Sequence, residues 1–227
     1  NAFRDQGDIN SSIESYKKAL SLSPNNANAL FNLSFAQLLS GEFKSGWINY
    51  EYRITKTDPI PIYGNPKCKR FNGENLLDIN QLLVVSEQGL GDTIQFMRYI
   101  PYLQNKQLEI SFCAQENLHS LIKQSNIDSN PLTPKEADLV SEGCWIPLLS
   151  LPRYLGIDIN TPLVSKRYIF TSDALKSKWE NILSKEKKPI IGINWQGNPA
   201  TERNNLKGRS IPLEIFYLVA EKNVRLL

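Results

Sequence analysis

Paired helices followed by a layered α/β region, α + α/β overall, is the fold class that this sequence of 227 residues predicts. Three observations lead there. Residues 1–54 repeat themselves at an offset of 34 positions, a stretch from Thr55 to Asn75 carries Pro59, Pro61, Pro66, Gly64 and Gly73 with little periodicity, and beyond it short apolar runs alternate with helical patterns. A repeat of that length is a helical pair, a Pro- and Gly-bearing stretch is a connector, and the alternation marks a parallel sheet with crossover helices.

The repeat is the first element. Gly7 and Gly41 stand 34 residues apart, and at the same offset Ala2 meets Ala36, Ile9 meets Phe43, Ile13 meets Trp47, Tyr16 meets Tyr50 and Leu20 meets Ile54. Ile9, Ile13, Tyr16, Ala19 and Leu20 form one apolar stripe at helical spacing, with Lys17 and Lys18 pointing away. The period and the order of residues, a small residue, a turn glycine, an aromatic, then A-L and Pro24, resemble the tetratricopeptide (TPR) repeat. Ser12 and Gly46 sit where that family usually has Ala. One full repeat and part of another are visible, and such units need neighbours or a packed domain to bury their faces.

After the connector the texture gives strands at Leu82 to Ser86, Leu108 to Ala114, Val140 or Cys144 to Ile146, and Ile190 to Trp195. Helical stretches fall near Thr93 to Leu103, Asn117 to Gln124, Leu149 to Leu155, Asp173 to Ser184 and Leu213 to Lys222. This is Rossmann-like layering. The charged run through Lys188 makes a second seam, so the expected division is 1–54 repeats, 55–75 connector, 76–186 a Rossmann-like domain and 187–227 the start of another. The first residue is Asn, the only Met is Met97 and the last residues read as a strand in progress, so the sequence reads as part of a longer one.

Composition bounds the partners. Lys and Arg number 26 against 23 Asp and Glu, a net charge of +3, far short of the dense basic surface that nucleic acid requires. Three widely spaced cysteines and the lone His119 give neither a metal-ligand pattern nor a disulfide framework, which points to a reducing cytoplasm and no metal. No apolar run approaches the roughly 18 residues of a membrane helix, and the start lacks the features of a secretory signal.

Two loops hold candidate chemistry. The first lies in LLVVSEQGLGDTIQFMRYIP, a buried strand, a turn with Gly89 and Gly91, and a helix opening at Asp92. Ligands of open α/β sheets bind at such carboxyl ends. Gly permits positive φ and close approach of backbone to a ligand, and helix-start amides meet anions or hydroxyls. The simpler account is a tight turn with Asp92 as N-cap. The second loop, QGNPATERNNLKGRSIPLEIF after PIIGINW, holds Arg203, Lys207 and Arg209 with Gly197, Gly208 and Ser210. Guanidinium forks and a hydroxyl beside a helix start suit a diphosphate, although any solvated surface loop can hold three cations.

Four segments, RFNGENL, SEQGLGDTIQFMRYIP, LLSLPRYLG and GINWQGNPATERNNLKGRSIPL, together resemble bacterial TPR proteins with a glycosyltransferase-like region related to the heptosyltransferases. The resemblance covers nearly the whole chain, and E-Q-G-L-G-D and W-x-G-N followed by R-S are its most specific parts. It implies a GT-B fold, with two Rossmann-like domains facing a cleft, acceptor contacts mainly on the first and nucleotide-sugar contacts mainly on the second. It implies an inverting, metal-free transfer to an acceptor hydroxyl, the nucleotide-sugar being a co-substrate rather than a bound cofactor. Asp92 matches the base of those enzymes, and Glu87 at the strand end is the alternative. An N-cap carboxylate is held ionised by helix amides, whereas a base works best with a pKa near the operating pH. Gln88, Gly89, Gly91 and Thr93 fall in the acceptor loop. Asn198, Arg209 and Ser210 are carried over by motif as donor-phosphate contacts, beside Trp195, Gly197 and Lys207.

Other residues have plainer accounts. His119 reads as a packing or surface residue, Trp47, Trp145 and Trp179 as core, Phe71 as packing the connector on the sheet, and Asp138 as a residue before the third strand. The rival reading is a scaffold whose repeats bind a protein or peptide and whose α/β region does not catalyse. A dehydrogenase ranks third, because G-x-G-x-x-G and its acidic partner are absent as a set.

Overall fold

A computed structural model describes residues 2–73, 75–161, 166–197, 210–220 and 223–227. Packing divides the chain into two units, Asn1–Phe170 and Thr171–Leu227.

The first unit begins with helices α1 (Ala2–Asp5), α2 (Ile9–Leu22), α3 (Ala27–Ser40) and α4 (Phe43–Tyr50). Gly7 and Gly41 both adopt left-handed backbone, φ 84° and 88°, so the repeated glycine is the residue that the turn into each following helix needs. Asp8 caps α2 by accepting from Ser11 N, and Asn26 caps α3 by accepting from Ala29 N. Ile13, Leu33 and Ala36 form the core of the pair, with Ile9, Tyr16 and Leu20 packed against it. Ala19, expected on that stripe, is exposed. Gly46 is tight: a Cβ there would stand 2.8 Å from Leu38 side-chain atoms. The chain leaves α4 through a 3₁₀ turn, Glu51–Ile54.

The sheet comprises β1 (Lys69–Arg70), β2 (Gln81–Val85), β3 (Glu109–Cys113) and β4 (Cys144–Pro147), all parallel in the order β1-β4-β2-β3. Val85 pairs with Cys113 on one side and Pro147 on the other, so three carboxyl ends finish level. A parallel sheet must be covered on both faces. Leu82, Val84, Phe112 and Ile146 face one cluster with Met97, Ile100 and Leu103, and Phe31 and Tyr50 of the repeat helices belong to it. Leu83, Val85 and Cys113 face another with Ala137, Ile62 and Leu132. Burial pushes the Cys113 thiol up to about 12.

The remaining helices of this unit are α5 (Leu90–Phe96), α6 (Tyr99–Gln104), α7 (His119–Gln124), α8 (Pro134–Ala137) and α9 (Leu151–Tyr154). The helix expected from Thr93 to Leu103 is two helices. Pro101 lacks an N–H for the Met97 carbonyl and its ring crowds that carbonyl, so the break falls before it and α6 starts afresh. The segment expected as a structureless connector contributes β1 and an antiparallel bridge from Ile62 to Glu87. Those two sites lie in stretches too short for any sequence period to show. Phe71 is buried and meets Tyr154 edge-on, ring centroids 5.1 Å apart.

The second unit holds α10 (Asp173–Leu183), two paired parallel strands β5 (Ile190–Ile191) and β6 (Arg225–Leu226), and a helical stretch Leu213–Phe216 continuing as Tyr217–Ala220. The seam expected at 186 and 187 therefore lies inside this unit. Helix α10 buries none of its residues, and Trp179, expected in a core, is 51% exposed. The strand expected to run to Trp195 ends at Ile191, though Ile193 N still donates to Leu227 O.

Candidate functional site

The carboxyl end of β2 collects the first group of expected residues. Strand order reverses around β2, since the chain runs from β2 out to β3 and returns to β4 on its other side. Such a reversal opens a crevice at the strand ends. Here Arg53 of the 3₁₀ turn occupies it. Its Nε and Nη2 donate to the two oxygens of Glu87, both at 2.7 Å, and Nη2 also donates to Ser150 Oγ at 2.8 Å. Nη1 donates to Tyr50 O and to Glu51 Oε1. All five guanidinium N–H donors thus have acceptors. Glu87 accepts a third bond from Leu149 N at 3.0 Å, and both side chains are wholly buried. Burial disfavours the Arg53 charge, but the hydrogen bonds and charges of Glu87 and Glu51 outweigh it, and the net effect raises its pKa. Glu51 in turn accepts from Arg70.

This geometry bears directly on Glu87. A base needs a free lone pair within reach of solvent or substrate, and Glu87 has neither oxygen free. It serves as an anchor between the repeat helices and the sheet.

The next residue, Gln88, has φ +59° and is the left-handed residue of this turn, a role the sequence suggested for a glycine. Its Nε2 donates to Tyr50 OH at 2.6 Å. Burial pushes the Tyr50 phenol above its ordinary pKa. Gly89 is the N-cap of α5 in extended backbone, and Asp92 is the third helical residue rather than the cap, its Oδ2 accepting from Gly89 N at 3.1 Å. The shift arises because helix α5 starts three residues before the expected Thr93. Neither Gly89 nor Gly91 has positive φ, and a Cβ on Gly91 would meet nothing within 4 Å. Gly91 is exposed and Asp92, the next residue, is half-buried. Thr93 faces inward, fully buried, with its hydroxyl donating to Gln115 Oε1 at 3.0 Å.

The second loop is described at its two ends. Trp195 is 36% exposed and its carbonyl accepts from Ile211 N, while Gly197 N donates to Ser210 Oγ at 3.0 Å. Asn198, Lys207 and Arg209 lie outside the described residues. His119 contacts the Ala114 carbonyl through Nε2, and Asp138 accepts from Asn65 N. No group of acidic, cysteine or histidine side chains among the described residues is arranged to hold a metal ion.

Residues 1–41 match the family model of the TPR repeat. The left-handed glycines and the packed helical pair are the geometry of that match. No curated protein and no solved structure gives a significant match to the chain. No helix of the described residues is long and apolar enough to cross a membrane.

Sequence reasoning missed Arg53, Tyr50 as a hydrogen-bonding partner, and Ser150. The 34-residue offset gave no signal for Arg53, because it corresponds to Ala19, which is exposed on α2.

Proposed function

We propose that this chain is the repeat-bearing, acceptor-side part of an inverting glycosyltransferase of GT-B type, acting in the cytoplasm on a nucleotide-sugar. One observation carries the reading. At the carboxyl end of the central strand, Asp92 stands half-buried beside Gly91, a glycine that neither backbone conformation nor any internal contact requires. Space kept open next to a carboxylate is what an acceptor hydroxyl needs to lie within hydrogen-bond reach of its base. In this reading Asp92 takes the proton, and Gly89 and Gly91 keep the approach clear. Gln88 and Glu87 hold the loop in place from behind.

The second reading is a TPR scaffold with a non-catalytic α/β unit. It is favoured by the filled crevice: Arg53 occupies the place where open α/β sheets commonly receive ligands.

Thermal shift of the intact protein against nucleoside diphosphates and nucleotide-sugars, without metal, separates the two. Selective stabilisation by one nucleotide is the result expected of a donor site. Asp92→Asn should then abolish transfer while leaving the thermal shift unchanged. No response to any nucleotide from folded protein, or full transfer by Asp92→Asn, would overturn the catalytic assignment.

A further inference from the structure

A cavity of about 420 Å³ lies in the first unit away from the β2 loop, within the size range of small-molecule sites. It is bounded by α6, by the end of α7 and by the segment from Lys166 to Phe170. Asn105, on its wall, belongs to the turn that feeds the start of β3, the opposite end of the strands from Asp92.

The lining is one-signed. Arg98, Lys166 and Arg167 contribute three cations, and no carboxylate among the described residues lines the cavity. Among the described residues none of the three has an acidic partner within ion-pair distance, whereas Arg4, Arg53, Arg70, Arg153 and Arg225 all do. The other arginines among the described residues are ion-paired, and those of the cavity are not.

The two guanidinium groups are also held. The Arg98 guanidinium stacks over Tyr168 at 5.0 Å, its Nε donates to Gln95 O at 2.6 Å and its Nη2 to Tyr168 OH at 3.2 Å. Three of its five N–H donors have no partner among the described residues. Arg167 stacks over Phe170 at 4.5 Å. The aromatic wall is itself tied down, because Tyr168 OH donates to Ile94 O at 2.9 Å and Phe170 N donates to Ser125 Oγ at 3.1 Å. Stacking on a ring fixes a guanidinium plane and leaves its edge for a forked contact with an oxyanion. Tyr102 adds another ring to the lining, and Asn105 and Asn126 add amides that can meet ring hydroxyls or heteroatoms.

We propose that this cavity is a binding site for a phosphate ester carried on a ring, the phosphate held by Arg98, Lys166 and Arg167 and the ring lying against the aromatic wall. The chemistry is shared by sugar phosphates and nucleoside monophosphates. It does not depend on the glycosyltransferase reading, since none of its residues belongs to the β2 loop or the second unit.

Calorimetric titration of the whole chain with glucose 6-phosphate, AMP, adenosine and inorganic phosphate tests it. Saturable binding of either ester, weakened by added salt and tighter than inorganic phosphate or adenosine, is expected, and whichever ester binds identifies the source. Lys166 and Arg167 are exposed, so Lys166→Gln and Arg167→Gln should keep the fold and each weaken binding by about tenfold or more. Lys17→Gln, on α2, should leave this binding unchanged. The proposal is overturned if neither ester saturates, if inorganic phosphate binds as tightly as both, or if the Gln variants bind like the parent chain.

Discussion

Ala19 and Arg53 occupy the same place in successive copies of a 34-residue pattern, yet Ala19 is exposed on α2 while Arg53 is wholly buried at the end of β2. The neighbouring pairs diverge in the same direction. Tyr16 is half-buried in the small helical core, while Tyr50 is buried in the large cluster and accepts a hydrogen bond from Gln88. Ile13 packs between helices, and Trp47 reaches Phe96 of α5, ring centroids 6.1 Å apart. A shared period therefore fixes how a helical pair is built but not what its outer residues bind. The first copy keeps a repeat-to-repeat surface, and the second has become the docking face for a parallel sheet.

Exchanging side chains between these matched positions tests the contrast, beginning with the largest effect. Arg53→Met should cost about 3–5 kcal/mol in urea unfolding, because it strands the Glu87 carboxylate in the interior. Adding Glu87→Leu should recover most of that loss, as replacing both partners by apolar groups removes the unpaired charge. Ala19→Arg should change stability by less than about 0.5 kcal/mol, as for most exposed sites. Equal losses at positions 19 and 53 would erase the distinction.

Gly46→Ala comes next. The added Cβ must displace Leu38 at an overpacking cost of about 1–3 kcal/mol, offset in part by roughly 1 kcal/mol of helix propensity, so a net loss of up to about 2 kcal/mol is expected. Its counterpart Ser12 is buried with a hydroxyl that has no partner among the described residues. Ser12→Ala should therefore stabilise the chain slightly, which a thermal melt will read.

Tyr50→Phe should cost about 1 kcal/mol at neutral pH for one lost hydrogen bond. Its alkaline behaviour is more telling. Burial raises the pKa of Tyr50 and raises that of Cys113 to about 12, so the folded chain keeps protons that the unfolded chain releases. Stability must then fall as pH climbs past about 9, where an unfolded thiol ionises, and fall further past about 10 for the phenol. Melting temperatures measured between neutral pH and alkaline conditions should decline along this limb, and Tyr50→Phe should make the decline shallower. Tyr16→Phe should alter it less, because Tyr16 is only half-buried.

Much of the architecture was legible in the sequence. The period exposed the paired helices, and the buried run of β2 showed as a near-continuous apolar stretch, the pattern of a strand covered on both faces. What escaped depended on distant partners. Nothing local in Lys69–Arg70 announces a strand, since its pairing is supplied by Cys144 and Trp145. Glu87 looked like a candidate base because a carboxylate at a strand end is a chemical signature, and only the arrival of Arg53 from 34 residues upstream assigns it another task. Asp92 was expected as the N-cap, but the helix begins at Leu90 with Gly89 as its cap. Trp179 followed the amphipathic period of α10, yet that helix buries none of its side chains within its own unit.

The buried guanidinium also bears on how such a protein can be inherited. Helical repeats are usually gained, lost and exchanged as cassettes, because each meets its neighbours through interchangeable apolar faces. The last pair here cannot be traded that way. Cutting the chain within Thr55 to Asn75, where composition suggests a natural joint, would leave the sheet with a naked acid at the tip of its middle strand and the helices with a cation that has lost its mate. Repeats can be added or removed upstream of α3, but the turn that carries Arg53 must descend together with Glu87, as a single hereditary piece.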